Sequence, residues 1–196
     1  MAAAPRDPRA DDPTRPDPWS ISDLPEHPSR LAPELLLRDC TMTPGRASGP
    51  GGQHRNKVQT KVTLLHEPTG LSAHASERRS ATENHREALF RLRLLLATRI
   101  RTAPAPQDRW GDVRPEFWRA RVDAAGKVAC NSAHEDYPAM LSLALDVIAQ
   151  SGLDPRKAAL RLACTPSQLI RLVKDHAPAF EAWNAARTAK GEHGLK

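Results

Sequence analysis

The rhythm of apolar and polar positions changes twice along this chain. Up to about residue 33 no period is visible, and 8 of the 18 prolines fall there, from Pro5 to Pro33. Proline removes an amide donor and fixes φ, so residues 1–33 are expected to form a disordered or extended leader. Within it, Trp19 and Ile21 are the residues suited to pin it to a surface. A short helical turn is expected over Glu34–Leu37. Strand-like stretches follow at Cys40–Arg46, Lys61–Leu65 and Leu71–Ala75. Pro44 would interrupt a central ladder, so the first strand is expected at an edge or to carry a bulge. His66-Glu67-Pro68-Thr69-Gly70 reads as a turn, with Pro early and Gly late. Ser80-Ala81-Thr82-Glu83 is a capping box opening a helix to about Arg101. On that helix Leu89, Leu92, Leu96 and Ile100 share one face, and Arg79, Arg86 and Arg93 recur every seven residues on another.

Beyond residue 101 the pattern is helical. A linker with Pro104 and Pro106 leads to Trp110, Phe117 and Trp118, which are expected to dock it on a core. Helices are expected from Pro138 to about Gln150, from Pro155 to about Ala163, from Pro166 to about His176 and over Pro178–Lys190. Their punctuation is Gly152, Asp154 before Pro155, the box Thr165-Pro166-Ser167-Gln168, and Gly191. The pair around Cys164 has helix-turn-helix character, with Ala159, Leu162, Leu169, Leu172 and Val173 inward. Such a unit could set Ser167, Gln168, Arg171 and Lys174 against nucleic acid; a plain helical bundle fits the pattern equally well.

Charge narrows the picture. The 196 residues carry a net charge of +6, with 39% hydrophobic and 27% charged residues, enough apolar material for a core. Residues 40–101 hold eleven Lys and Arg against four Glu, so the middle segment accounts for the whole basic excess. An electrostatic footprint for nucleic acid belongs there. Cys40, Cys130 and Cys164 are odd in number and widely spaced, which gives neither a disulfide framework nor a zinc signature. His134-Glu135-Asp136 lacks further ligands at helical spacing, so a loop or cap is expected there and no metal site. The absence of a run of about 18 apolar residues argues against a transmembrane helix. The N-terminus lacks a signal-peptide core and carries Asp7, Asp11, Asp12 and Asp17, so a cytoplasmic location is expected.

The segment between the first two strands is the most informative. It reads Ser48-Gly49-Pro50-Gly51-Gly52-Gln53-His54-Arg55-Asn56-Lys57. The glycines and proline select unusual backbone geometry. A flexible linker would not place Gln, His, Asn and Lys directly after the glycines, and phosphate-cradling spacings are absent. The third reading is the tip of an ester-hydrolysing loop.

At this point the sequence resembles class I peptide chain release factors. The resemblance rests on SGPGGQ with Asn56-Lys57, then His66-x-Pro68-Thr69-Gly70, then Arg79-Ser80 with Asn84 and Ala88, in that order. It implies hydrolysis of the ester joining nascent peptide to P-site tRNA at the peptidyl transferase centre of the large ribosomal subunit. Gly51, Gly52 and Gln53 become the implied catalytic residues: the glycines make a slim tip, and the Gln53 amide N–H can donate to developing negative charge. His54, Arg55, Asn56, Lys57, Lys61, Arg79 and Arg86 are the candidate contacts to rRNA or tRNA, with Asn56 a candidate to hold the loop base. The motif glutamine of this family is commonly methylated, which makes Gln53 a candidate modification site and a glutamine methyltransferase a candidate partner. No cofactor and no membrane partner are implied.

The resemblance has departures. Arg55 stands where Val is common, Ala81 where Gln is usual and Thr63 where Arg is common. None touches the tripeptide. The expected architecture is α+β: a leader over 1–33, a release-factor-like catalytic domain over 34–101 with a short sheet packed by one long helix, a linker over 102–109, and an all-α module over 110–196. Only 50 residues precede Gly51, which argues against a stop-codon reader and toward the small factors that release peptides from stalled ribosomes. The near-neutral C-terminal part argues against the strongly basic tail that some of those factors carry. A non-catalytic ribosome- or RNA-binding protein retaining the fold is the alternative.

Overall fold

The computed structural model describes residues 19–22, 24–46, 59–103 and 114–196. It is an α+β fold. A three-stranded antiparallel sheet is ordered β2 (Cys40–Gly45), β3 (Lys61–His66), β4 (Leu71–Ala75). Pro44 lies in β2, which is an edge strand, where a missing N–H costs no ladder bond. The register pairs Met42 with Leu64 and Leu64 with Ala73, so Val62, Leu64 and His66 point to one face with Leu71, Ala73 and Ala75. Gly70 closes the β3–β4 turn at φ +66°, the left-handed region open to glycine. A short helix α1 (Pro33–Arg38) precedes the sheet and buries Leu36.

Helix α2 (Ala81–Arg99) covers the sheet's inner face. Its start follows from the cap: Ser80 Oγ accepts from Glu83 N at 3.4 Å. Ala88, Leu92 and Leu96 are fully buried with Leu36, Val62, Leu64, Leu71 and Ala75, and Leu89 and Ile100 pack at the margin. Ala97 and Leu94 belong instead to a second core, formed with the C-terminal helices. One helix therefore serves two cores on two faces.

The second core surrounds α4 (Tyr137–Gln150), which follows the short α3 (Glu116–Arg119). Every residue of α4 from Tyr137 to Ile148 is buried. Around it pack α5 (Pro155–Arg161), α6 (Pro166–Lys174) and α7 (Ala177–Ala189). Asp154 caps α5 by accepting from Arg156 N and Lys157 N, and Thr165 caps α6 by accepting from Gln168 N. Large aromatics bury their rings and spend their polar ends on backbone carbonyls. Trp118 Nε1 donates to Leu162 O at 2.9 Å, Tyr137 Oη to Leu172 O at 2.7 Å, and Trp183 Nε1 to Leu153 O at 3.2 Å. Trp110 lies outside the described residues.

Of the two forms expected for the leader, disordered or extended, the described part from Trp19 onward is packed and begins in an extended pairing. Strand β1 (Ile21–Ser22) pairs in parallel with β5 (Arg101–Thr102) just after α2. His27, Pro28 and Ser29 are buried, and Arg30 reaches Ser142 and Asp146 on α4. Composition missed this because the segment's partners are polar groups far along the chain. Residues 1–18 lie outside the described residues.

Candidate active site

The candidate loop joins β2 to β3. Residues 47–58 lie outside the described residues, so the expectations for Gly51, Gly52, Gln53, His54, Arg55, Asn56 and Lys57 stand as sequence readings. The frame that carries them is described. The β2–β3 ladder runs without a break to the pair Gly45 and Lys61, so both ends of the loop leave one paired rung. The Lys61 side chain crosses Gly45: a Cβ built there would meet Lys61 Cδ at 3.5 Å.

Asn84 ties the loop's exit to α2. Its side chain is fully buried. Nδ2 donates to Thr60 O at 2.6 Å and to Arg78 O at 2.9 Å, and Oδ1 accepts from Arg78 N at 2.9 Å. The Arg78 N–H demands the oxygen on its side, which fixes the amide's orientation. Both donors are used, so a group that is costly to bury is satisfied.

The His66-x-Pro68-Thr69-Gly70 segment is a structural staple. His66 Nδ1 and Thr69 Oγ1 share a hydrogen bond at 2.8 Å, and Thr69 Oγ1 accepts from Leu71 N at 3.4 Å. Burial lowers the pKa of the His66 ring, which favours the neutral form. Chain reversal at this turn sets the register of β4.

The basic residues divide by occupation. Arg79 and Arg86 are exposed and make no ion pair among the described residues; Lys61 is half-buried. Arg93 leaves the expected stripe. Its Nε and Nη2 donate to Ser29 O at 3.1 and 3.0 Å, and Nη1 to Glu135 O at 3.1 Å. Arg91 is held by Glu77 and Glu87, each at 2.9 Å. Although burial works against it, hydrogen bonds from Arg91 and the backbone hold the Glu77 carboxyl down at about 2.

Two further expectations resolve into packing. His134 Nδ1 accepts from Asp136 N at 3.1 Å, and Asp136 pairs with Arg121 at 2.8 Å, so His134-Glu135-Asp136 is a turn opening α4. Among the described residues no group of three or more His, Cys, Asp or Glu could hold a metal. On α6, Gln168 Oε1 accepts from Val128 N at 3.2 Å, and Arg171 Nη2 donates to Val128 O at 3.1 Å. These two side chains clamp the segment before α4 instead of pointing free. Cys130 and Cys164 are buried and all three thiols are free. No helix among the described residues is long and apolar enough to cross a membrane.

Comparison with known proteins matches residues 33–114 to the RF-1 domain. That match, with the relative that follows, supports the class I peptide chain release factor family for this segment. One relative is peptide chain release factor 1 of Blochmanniella floridana, 34% identical over 70 residues. That alignment covers 36% of this chain and 20% of the relative, so the chain spans about a fifth of the relative's length. The RF-1 segment begins at Pro33, where α1 begins, and includes the sheet, α2 and β5.

Proposed function

We propose that this protein hydrolyses the ester of peptidyl-tRNA on the ribosome, and that it does so on stalled ribosomes without reading a stop codon. The observation that carries the reading is an RF-1 segment with an intact Gly51-Gly52-Gln53 in the β2–β3 connection. Both ends of that connection leave one paired rung, Gly45 and Lys61. The glycines keep side chains out of the way, and the Gln53 N–H stabilises charge on the leaving 3′ oxygen or the tetrahedral intermediate. The Gln53 side chain shapes a pocket that admits water. Positioning of water, assisted by the tRNA's own 2′-hydroxyl, supplies the rest. Arg79, Arg86 and Lys61 serve as phosphate contacts from the frame. Methylation of Gln53 by a glutamine methyltransferase belongs to this reading.

Residues 19–32 are committed to packing along α2 and α4, and residues 114–196 build a helical module on the far side of α2. We assign catalysis to residues 34–101 and read the module as a rigid extension of that domain. Its α5–α6 pair keeps helix-turn-helix character, but Gln168 and Arg171 are spent on Val128.

The test is release of labelled peptide from P-site peptidyl-tRNA, on truncated message, on a stop codon and on a sense codon. Wild type is expected to release on truncated message, and Gly52→Ala is expected to lose that release. Release only on a stop codon would refute codon independence. Retained ribosome binding with no release in any state would favour the non-catalytic reading.

A further inference from the structure

We infer that the outward face of the α5–α6 pair is a second RNA-binding surface, one that grips the sugar-phosphate backbone of duplex RNA; the choice of RNA over DNA rests on the ribosomal reading above. Residues 155–174 hold five Lys and Arg and no Asp or Glu. Residues 102–196 as a whole net only +2, so the rest of that part carries −3. A near-neutral total conceals a strongly basic helix pair.

The fold turns those charges outward. Ala158, Ala159 and Leu162 are buried in one core with Leu169, Leu172 and Val173. At about 100° per residue, the opposite arc of α5 holds Arg156, Lys157, Leu160 and Arg161, and that of α6 holds Ser167, Arg171 and Lys174. Arg156, Lys157 and Lys174 are exposed, and with Arg161 they make no ion pair among the described residues. Of the flanking acids, Asp154 is spent on the α5 cap. Stability gives no reason for this placement. The N-terminal end of a helix favours Asp or Glu, yet the first turn of α5 carries Arg156 and Lys157 and no acid. A polyanion laid on the face would relieve the repulsion among its cations.

The joint between the helices is fixed. Ala163 takes a left-handed φ of +50° in the turn, Cys164 N donates to Ala159 O at 3.0 Å, and Thr165 N donates to Gly126 O at 3.1 Å. Both faces are therefore presented in one arrangement, so little ordering is left to be done on binding. What the face lacks narrows the ligand. Gln168, the α6 side chain suited to a base edge, is committed to Val128, as is one nitrogen of Arg171. The free cations suit phosphates, which position a protein without reading sequence. Duplex RNA is recognised in that way, by shape and backbone, because its major groove is too deep and narrow for side chains to read.

The experiment is fluorescence anisotropy of the full chain with a labelled RNA duplex of about 16 base pairs, in two unrelated sequences, and with the matching DNA duplex, across a salt series. Lys157→Gln/Lys174→Gln is compared with wild type and with Arg38→Gln/Lys196→Gln, which removes the same charge from exposed sites off the face. Each phosphate contact contributes about 0.9 to the slope of log affinity against log salt, so the face variant should lose about 2 from that slope and about 10-fold in affinity. The loss should be equal for both RNA sequences, with the off-face variant within about twofold of wild type. Each single variant should lose about half of the slope change, which carries the test should the double variant be unfolded by circular dichroism. No ribosome is present, so the result does not depend on peptide release, which Gly52→Ala scores separately. Absence of wild-type binding to the RNA duplex, or an unchanged slope in the face variants, would overturn the inference. So would an equal loss in the off-face variant, or tighter binding to the DNA duplex than to the RNA.

Discussion

Removal of the Asp146 carboxylate is the sharpest perturbation of the tertiary structure. Asp146 is 1% exposed and sits on α4. It accepts from Thr102 N at 3.1 Å and Thr102 Oγ1 at 2.8 Å, is bonded by Arg30, and lies 3.6 Å from Arg101. Arg101 is itself 1% exposed, donates to Ala97 O and Thr98 O, and lies 5.4 Å from the Trp19 ring centroid. Burial alone pushes the Asp146 carboxyl up and the Arg101 guanidinium down, and each charge counters the shift of the other. Asp146→Ala removes the carboxylate shared by Arg30, Arg101 and Thr102. Breaking a buried pair from one side costs about 3–5 kcal/mol, and burying these two cations together places the expectation toward the upper end. With a urea m-value of about 3 kcal/mol/M, the midpoint should fall by about 1–2 M. Asp146→Asn keeps an acceptor for Thr102 and should lose less. Arg30→Met leaves Asp146 its bonds to Thr102 and Arg101, and the double variant Arg30→Met/Asp146→Ala should cost less than the sum of its singles. The assay is urea unfolding followed by circular dichroism and tryptophan fluorescence, with coincident transitions required. A loss below about 1 kcal/mol for Asp146→Ala, or full additivity in the cycle, would refute the argument that this network fastens residues 19–32 to α2 and α4.

Two further outcomes are expected. His27 is fully buried, its Nε2–H faces Ile100 O at 3.1 Å, and its Nδ1 accepts from Ser29 N at 3.2 Å. Burial first, then Arg30 and Arg101, hold its pKa well below 6.5. The unfolded chain therefore binds the proton first on acidification: stability is level above the unfolded value and declines as pH falls below it, by at most about 1.4 kcal/mol per pH unit from this ring. Asp146, raised by burial, acts in the opposite sense nearer its own range, while His66 and His176, also lowered by burial, act in the same sense as His27. In urea titrations between about pH 6.5 and 5.5, His27→Gln should therefore reduce the slope and leave the share of the other two rings. Gly126 has φ +75° and a Cβ there would sit 3.1 Å from Cys164 Cα and from Thr165 N, both backbone atoms. Gly126→Ala should cost more than about 2 kcal/mol, against about 1 for Gly70→Ala, where the φ is +66° and the space is open, as read by thermal melting.

Much of the fold was legible along the chain because its signals are local. Ser80, Asp154 and Thr165 cap helices since their oxygens reach amides two or three residues on. Pro44 marks an edge strand through a missing donor, and the alternation in Lys61–His66 assigns its faces. The likeness to release factors was also legible, since the motifs that carry it are residue types in order, and the RF-1 match falls on the same segment.

What the sequence by itself determined, then, is the order of β2, β3, β4 and the main helices, and the basic middle segment. What only the tertiary structure decided is which polar groups are spent inside. Arg93 read as one of three surface arginines until Ser29 O, 64 residues away, claimed it. Arg30 read as leader until Asp146, 116 residues on, paired with it. Gln168 and Arg171 read equally well as nucleic-acid contacts or as the surface of a plain bundle until Val128 took both. Asn84 read as a motif letter until Thr60 and Arg78 met on its amide. Residue type gives a side chain's bonding capacity, but desolvation makes that capacity count only where the fold brings donor and acceptor together away from water, and pairings separated by tens of residues leave no period in the chain.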